Sequence, residues 1–546
     1  MAVTLTINGI SAPSPPGATL FDCAESAGVR VPTSCQKLGK CKECVVEVSE
    51  GIGLLSEPGD FERHLQGNFR LSCQARIAAE EGEIRCHTMR RGQMRIEGRA
   101  VGLPGGGRPM ELDPAVTREG GRILIDGAEV ERSAGPIHGI AMDLGTTTIA
   151  LRLLNLETGE LVAVSSFENP QRFGGSDVMA RIQYDTEHPG KLLRRTLAGY
   201  LTHAIEEFPA DPKTIYEMVV VGNSTMRDLF FRQSVYTIGQ SPYRSITELE
   251  MAEGKRASTS LTETGRRCLL PIHPKARVYG APVISGHVGA DAAAAMLAVD
   301  VAHEDRVVAL MDIGTNTELI VGNRHRILAA SCPAGPAFEG GAISCGMPAL
   351  DGAIEDVRIG DDGAYHLDVI GGVAPQGICG SGLVALLSEL LRTGRMNEMG
   401  RFAEGARIDL DRERNVYFLE RDVNELAQAK GANAAGLRVV FSSYGIEFGD
   451  AARFYLAGGF GKNLDAEAAA RIGLIPQIAG GRLVQLGNAA IEGATMALLS
   501  RRKRREMEET VLRVEHCRLE THPYFFDFFV DGCQFRPLES AQQVAG

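Results

Sequence analysis

Four cysteines near the start of the chain are spaced closely enough to bind a metal or to carry electrons. Cys35, Cys41 and Cys44 lie in "SCQKLGKCKEC", with five residues and then two between them, and Cys73 follows in "RLSCQAR". Cysteine sulfur is a ligand for zinc and for iron–sulfur clusters, and a close pair can also cycle between dithiol and disulfide. The intervals between the four cysteines distinguish these chemistries.

The intervals favour an iron–sulfur cluster. Plant-type [2Fe–2S] ferredoxins use Cys-x4-Cys-x2-Cys and a distant fourth cysteine, and this chain adds one residue to the first interval. A zinc ribbon usually has two close pairs, whereas only Cys41 and Cys44 form one here. A thioredoxin-like Cys-x-x-Cys precedes a helix, but "CVVEVSE" continues as a strand. We therefore predict a [2Fe–2S] cluster on Cys35, Cys41, Cys44 and Cys73, with zinc, a redox disulfide and structural thiols as alternatives.

A second chemistry comes from an internal repeat. Residues 139–155, "GIAMDLGTTTIALRLLN", and 307–323, "VVALMDIGTNTELIVGN", share Met-Asp-x-Gly-Thr-x-Thr, so that Asp143 matches Asp312. Each segment is an apolar strand, a turn and a second strand, which predicts a β-hairpin opening a half-domain. The two carboxylates could hold Mg²⁺ through water, because Mg²⁺ keeps most of its hydration. Two such halves predict two lobes around a cleft.

The turns of these hairpins could bind phosphate. The chain has no Walker A motif and no Gly-x-Gly-x-x-Gly after a strand. Backbone N–H groups and hydroxyls could grip phosphate oxygens instead. The predicted phosphate-binding residues are Gly145, Thr146, Thr147, Gly314, Thr315 and Thr317. Glu339 in "CPAGPAFEGG" has two interpretations, a base that orients water or an exposed loop carboxylate.

The elements around these residues indicate an α/β chain of several domains. Residues 1–90 carry the cysteines between strand-like runs and one short helix. Residues 91–137 are rich in Gly, Pro, Arg and Glu and are predicted to be a linker with a small hairpin at "GRILIDGAEVE". Residues 138–305 are expected to form a first ATPase lobe with an inserted middle region, and 306–546 a second lobe with a C-terminal tail.

Composition excludes some functions. The chain has 546 residues, of which 44% are hydrophobic and 23% charged, and its net charge of −12 argues against a general nucleic-acid binder. It has no apolar run of the ~18 residues needed to span a bilayer, and "MAVTLTINGI" alternates like a strand rather than a signal peptide. We therefore expect no membrane partner and a cytoplasmic protein, in which 12 cysteines are reduced.

The hairpin pair and the later glycine motifs together resemble the superfamily of actin, sugar kinases and heat-shock chaperones. Those motifs are "VVVGNSTM", "GHVGADAAAAM", "GICGSGLVALL", "LAGGFGKN" and "LGNAAIEGA". The resemblance implies that ATP lies between two ribonuclease-H-like lobes, with its phosphates on both hairpins. It also implies that the adenosine contacts a Gly-Gly turn at Gly458 and Gly459. The N-terminal domain is expected to be a ferredoxin-like β-grasp fold.

Over nearly its whole length the chain resembles the ATP-dependent reductive activators of corrinoid proteins. The shared segments are the cysteine loop, "GIAMDLGTTTIA", "NPQRFGGSDVMARI", "DIGTNTE", "AGPAFEGGAISCGM" and "GICGSG". The resemblance implies an enzyme that couples ATP to transfer of one electron from the cluster to Co(II), regenerating Co(I) for methyl transfer. It implies a corrinoid protein and a low-potential electron donor as partners, and allows a homodimer. The alternatives are an electron injector for another low-potential enzyme and a metabolite kinase with a fused redox sensor.

Overall fold

The protein is described by a computed structural model over residues 3–90, 111–459 and 464–540. The contacts among these residues form two units. One contains described residues within 1–93, 112–281 and 498–501, and the other contains those within 94–111, 282–497 and 502–546. Part of the predicted linker, residues 91–110, lies outside the described residues.

The N-terminal domain is a five-stranded sheet with one helix, in the order β2-β1-β5-β3-β4. Its elements are β1 Val3–Ile7, β2 Ile10–Ser14, α1 Leu20–Ser26, β3 Val45–Glu50, β4 Phe69–Leu71 and β5 Glu83–His87. The alternation of β1 puts Val3, Leu5 and Ile7 in the core, as a strand with one buried face requires. Helix α1 begins after Thr19, whose side chain accepts a hydrogen bond from the Asp22 backbone N–H. The predicted ferredoxin-like β-grasp domain is confirmed.

A three-stranded antiparallel sheet follows, in the described part of the segment predicted as linker. It consists of β6 Val116–Glu119, β7 Arg122–Ile125 and β8 Ala128–Arg132. The hairpin expected from "GRILIDGAEVE" is β7 and β8, and β6 pairs with β7 on its other side.

The first lobe is built on a six-stranded sheet in the order β11-β10-β9-β12-β14-β13. Its elements are β9 His138–Leu144, β10 Thr148–Asn155, β11 Leu161–Glu168, α2 Val178–Glu187, α3 Leu192–Glu206, β12 Ile215–Val221, α4 Ser224–Phe230, α5 Ile246–Ala252, β13 Leu261–Thr264 and β14 Arg277–Gly280. Strand β12 is buried at every position, which is typical of a parallel strand covered on both faces.

The second lobe has a six-stranded sheet in the order β24-β23-β15-β16-β17-β25. Its elements are α6 Ala290–Ala298, β15 Val308–Asp312, β16 Thr317–Gly322, β17 Ile327–Cys332, β18 Ala353–Ile359, β19 Tyr365–Val369, β20 Gly377–Ile378, α7 Gly380–Arg392, β21 Arg407–Asp411, β22 Val416–Leu419, α8 Glu420–Tyr444, β23 Arg453–Ala457, α9 Ala466–Arg471, β24 Leu483–Gln485, α10 Ala489–Leu499, α11 Arg501–Val511, β25 Val514–His516 and α12 Phe525–Gly532. Among these residues and the rest of the described chain, no helix is long and apolar enough to cross a membrane.

The two lobes repeat one topology. In the first, β9, β10 and β11 form an antiparallel meander and β12 runs parallel to β9. In the second, β15, β16 and β17 form the same meander and β23 runs parallel to β15. The two lobes predicted from the repeated hairpins are confirmed, and so is the ribonuclease-H-like architecture that the family resemblance implies.

Candidate functional site

The predicted cluster ligands lie in two places in the N-terminal domain. Cys35, Cys41 and Cys44 belong to the loop between α1 and β3, and Cys73 follows β4. The loop contains four residues in the left-handed region, Gln36, Lys37, Gly39 and Lys42, with φ between 51° and 71°. These turns fold the loop back on itself, so that Cys73 and the three loop cysteines come together.

The four sulfur atoms form two pairs. Cys44 Sγ lies 3.3 Å from Cys73 Sγ. Cys35 and Cys41 also influence each other: against the effect of burial, the backbone and thiol of Cys41 lower the pKa of Cys35, and Cys35 adds to the burial that raises the pKa of Cys41. The bond from Cys44 lowers the pKa of Cys73 to about 6 and raises that of Cys44. All but Cys35, which is half-buried, are nearly inaccessible to solvent.

This pairing fits two metal ions better than one. In a mononuclear Cys₄ site with bonds of about 2.3 Å, all four sulfurs would lie about 3.8 Å from one another. Among the described residues, a group of three or more possible ligand atoms within 4.8 Å of one another occurs at Asp300, His303 and Glu506, and not at the cysteines. Two sulfur pairs therefore match a binuclear cluster, in which each iron takes two thiolates.

Backbone N–H groups of the loop and of its neighbours act on the sulfurs. Burial raises the pKa of these thiols, and hydrogen bonds from backbone N–H groups lower it: those of Leu38, Lys40 and Cys41 act on Cys35, those of Ser34 and Glu43 on Cys41, and that of Gly39 on Cys73. The side-chain amide of Gln74 also donates to Cys73 Sγ at 3.3 Å. Such donors stabilise negative charge on the thiolates, so the loop has the chemistry that a [2Fe–2S] cluster requires.

The two remaining cysteines of this domain are core residues. Cys23 lies on α1 and Cys86 on β5, and they are 8% and 4% exposed. Burial raises the pKa of Cys86 to about 12, which keeps its thiol protonated. Their position in the hydrophobic core suits packing rather than ligation.

The first hairpin is held by two asparagines that the sequence motifs do not identify as functional. Asn169 donates from its side-chain amide to the Gly145 carbonyl at 2.8 Å and from its backbone to the Thr147 carbonyl at 2.7 Å. Asn223, after β12, donates from its side-chain amide to Thr146 Oγ1 at 2.9 Å. These contacts fix the turn that follows Asp143 near the end of β9.

The second hairpin is held by Glu339. Asp312 ends β15, and the Thr315 hydroxyl after it donates a hydrogen bond to the Glu339 carboxylate. Glu339 lies in a single 3₁₀ turn, Ala337–Glu339, and is half-buried. Of the two interpretations made from the sequence, an exposed loop carboxylate does not describe this position.

Thr317 is placed differently from the other predicted phosphate ligands. It is the first residue of β16 and is fully buried, and its hydroxyl is without a hydrogen-bond partner among the described residues. A phosphate contact from this side chain would require the start of β16 to repack.

The Gly-Gly turn follows β23 and lies beside the second hairpin. Ile313 donates its backbone N–H to the Ala457 carbonyl at 3.0 Å. A Cβ on Gly458 would lie 2.2 Å from the Ile313 carbonyl oxygen, whereas one on Gly459 would meet no atom of the described residues within 4 Å. The turn therefore has one tightly packed glycine and one with open space beside it.

Family models match three successive segments of the chain. Residues 3–78 match the 2Fe-2S iron-sulfur cluster binding domain. Residues 138–304 match the RACo middle region, and residues 306–544 match the C-terminal domain of RACo, the ASKHA domain.

Relatives and a solved structure extend over most of the chain. It is 32% identical over 446 residues to the corrinoid activation enzyme RamQ of Eubacterium limosum. The aligned region covers 76% of this chain and 73% of that protein. It is 26% identical over 439 residues to a reductase of the Co(II) methylated amine-specific corrinoid protein of Methanosarcina barkeri, covering 75% and 79%. A solved reductive activator for corrinoid, iron-sulfur protein has the same fold, with 24% identity, a TM-score of 0.72, and 98% and 99% of the two chains covered.

Proposed function

The chain belongs to the family of corrinoid activation enzymes, and we propose that it uses ATP to pass one electron from a [2Fe–2S] cluster to the Co(II) corrinoid of a partner protein. The product, Co(I), is the form that accepts a methyl group. The relatives are named for corrinoid activation and for Co(II) corrinoid protein reduction. The observation that carries the proposal is the presence, in one chain, of two pairs of cysteine sulfurs and two ATPase lobes.

The four cysteines would bind the two irons of the cluster in pairs. Cys35 and Cys41 would bind one iron, and Cys44 and Cys73 the other, because these are the sulfurs that lie together. When bound, the cluster supplies a site that takes up and releases one electron at a time. The loop excludes water from three of the four sulfurs and directs backbone N–H groups at them.

The energetics explain why ATP is needed. A plant-type cluster has a potential of about −400 mV, and Co(I) corrinoids are strong reductants, so electron transfer to Co(II) is uphill. Each ~100 mV uphill costs about 2.3 kcal/mol for one electron. ATP offsets this cost only if it binds two conformations of the protein with different affinity.

The hairpins supply groups suited to a magnesium nucleotide. Asp143 and Asp312 would hold Mg²⁺ through water, and the N–H groups and hydroxyls of the two turns would contact phosphate oxygens. Those turn residues are Gly145, Thr146, Thr147, Gly314, Thr315 and, if β16 repacks, Thr317. Gly458 and Gly459 would contact the adenosine, and Glu339 would orient the attacking water.

We also propose a low-potential electron donor, a homodimer and a cytoplasmic location. The uphill reaction supports the first, and family resemblance the second. The last is supported by the cysteines, since no disulfide joins any of the twelve, all of which are described.

ATP turnover tests the proposed function against a metabolite kinase. We would measure ADP formation anaerobically with a Co(II) corrinoid protein, with the same protein carrying Co(III), and with a panel of sugars and carboxylates. Stimulation by the Co(II) form alone is expected. Stimulation by a small metabolite with no response to corrinoid protein would support the kinase.

A further inference from the structure

Helix α3 of the first lobe contacts the cysteine loop on both sides of Cys41. The Thr196 hydroxyl donates to the Lys42 carbonyl at 2.7 Å, and Arg195 Nη2 donates to the Lys40 carbonyl at 2.9 Å. Thr196 is fully buried by this contact. Both bonds join a side chain of the ATPase lobe to a peptide group of the loop.

The helix can approach the loop because it presents a glycine there. A Cβ on Gly199 would lie 2.7 Å from Cγ of Glu43. One residue further, the buried Tyr200 hydroxyl donates to the Val45 carbonyl at 2.8 Å, at the start of β3. The contact therefore extends over more than one turn of α3 and fixes the helix against the loop.

In each of these two peptide groups, helix α3 contacts the carbonyl and the N–H acts on a cysteine sulfur. The peptide whose carbonyl belongs to Lys42 also contains the Glu43 N–H. Burial raises the pKa of the Cys41 thiol, and a hydrogen bond from this N–H opposes that rise. The peptide whose carbonyl belongs to Lys40 also contains the Cys41 N–H. Against the effect of burial, a hydrogen bond from this N–H lowers the pKa of the Cys35 thiol. Two chains of hydrogen bonds thus run from α3 through one peptide group each to the paired sulfurs of Cys35 and Cys41.

A hydrogen bond to an amide carbonyl polarises the amide and strengthens the bond that its N–H donates. Hydrogen bonds to the sulfurs are among the factors that set the potential of an iron–sulfur cluster. The reduced cluster carries one more negative charge than the oxidised one, so stronger N–H···S bonds favour reduction. The guanidinium of Arg195 adds a positive charge that acts in the same direction.

We propose that Thr196 and Arg195 are positioning residues that raise the reduction potential of the cluster through the peptide groups on either side of Cys41. The inference rests on the proposed cluster ligands. It makes α3 an element through which the first ATPase lobe acts on the electron donor, because a shift of this helix would weaken both chains of hydrogen bonds together.

Redox titration of the purified full-length protein tests the proposal. We would compare Thr196→Val and Arg195→Met with the wild type under anaerobic conditions, following the cluster by EPR and visible absorption. The equilibrium constant for one-electron reduction is expected to fall about threefold to tenfold in each variant, where tenfold corresponds to 59 mV. Raising the salt concentration should diminish the effect of Arg195→Met and leave that of Thr196→Val unchanged, because a charge at a partly exposed site is screened.

Two control variants separate the hydrogen bond from packing. Thr202→Val removes another hydroxyl of α3, one that donates to the Ala198 carbonyl within the helix, and should leave the potential unchanged. Thr196→Ser keeps the hydroxyl and should match the wild type. A shift in Thr196→Ser as large as in Thr196→Val, or no shift in either Thr196→Val or Arg195→Met, would overturn the proposal.

Failure of the ligand assignment gives a different result. If Cys41 binds no iron, Cys41→Ala keeps the wild-type EPR spectrum and iron content, and the proposed donor site is itself wrong. If Cys41→Ala loses the cluster while Thr196→Val leaves the potential unchanged, the proposed function stands and the inference about α3 falls.

Discussion

Gly458 approaches Ile313 so closely that a Cβ at this position would lie 2.2 Å from the Ile313 carbonyl oxygen. Gly222 repeats this relationship in the first lobe, where a Cβ would lie 2.4 Å from the carbonyl oxygen of Leu144. Leu144 and Ile313 each follow the aspartate of their hairpin, and the two glycines follow the parallel strands β12 and β23. The duplication thus preserves a backbone contact that only glycine permits.

Gly458→Ala is expected to destabilise the second lobe and to weaken ATP binding. The φ of Gly458 is 114°, so a side chain would be strained as well as in collision with backbone. We expect a loss of about 2–4 kcal/mol in the free energy of unfolding, measured by chemical denaturation. Gly449→Ala is the control, because a Cβ there meets no atom within 4 Å in the described part of the chain. Equal stability of both variants would show that the contact with Ile313 is relaxed in solution.

Asn223 has two functions that different substitutions should separate. Its side-chain oxygen accepts from the Met226 N–H at the start of α4, and its amide donates to Thr146 Oγ1. Asn223→Ala should lose about 1 kcal/mol of stability with the helix cap and should also bind ATP more weakly. Asn223→Ser restores the cap but is too short to orient Thr146, so stability should recover while the affinity for ATP stays low. Recovery of both, in calorimetric titration with Mg-ATP, would exclude a role for Thr146 in binding.

Glu339→Gln should separate ATP hydrolysis from ATP binding. The amide oxygen of glutamine can still accept the hydrogen bond from Thr315, but it cannot take a proton from water. We expect kcat for ATP hydrolysis to fall by about 10² or more, with the Kd for ATP within about threefold of wild type. An unchanged kcat would assign Glu339 to positioning Thr315 alone.

Cys73→Ala should abolish the [2Fe–2S] cluster, because it removes one partner of the closest sulfur pair. Cys86→Ala is the matched variant, as Cys86 lies in the same domain but in its core. The measurements are iron content and visible absorption after anaerobic purification. A wild-type spectrum in Cys73→Ala, or loss of the cluster in Cys86→Ala alone, would show that the fourth ligand has been misassigned.

The sequence was sufficient for the elements whose signal is local. The cysteine spacing and the two Met-Asp-x-Gly-Thr segments predicted a ferredoxin-like domain and a duplicated lobe, because both patterns lie within a few residues. The strand alternation of residues 3–7 and the buried run of β12 could likewise be interpreted from periodicity.

Contacts between distant segments could not be predicted in the same way. Asn169 and Asn223 lie 24 and 77 residues from the hairpin atoms that they bind, and Thr196 lies 154 residues from Lys42. Only the motifs "NPQRFGG" and "VVVGNSTM" gave a signal for the asparagines, and nothing in the sequence distinguished Thr196 from Thr202. The buried hydroxyl of Thr317 was missed because the turn motif does not show where β16 begins.

Formation of Co(I) in a single turnover tests the central claim most directly. The protein would be reduced anaerobically to one electron per cluster, freed of excess reductant and mixed with a Co(II) corrinoid protein, with or without Mg-ATP. We predict that Co(I) absorbance appears as the cluster is reoxidised, with one Co(I) per electron, in the presence of ATP and with wild-type but not Cys73→Ala protein. Co(I) formed at the same rate and yield without ATP, or reoxidation of the cluster with no Co(I), would contradict the account.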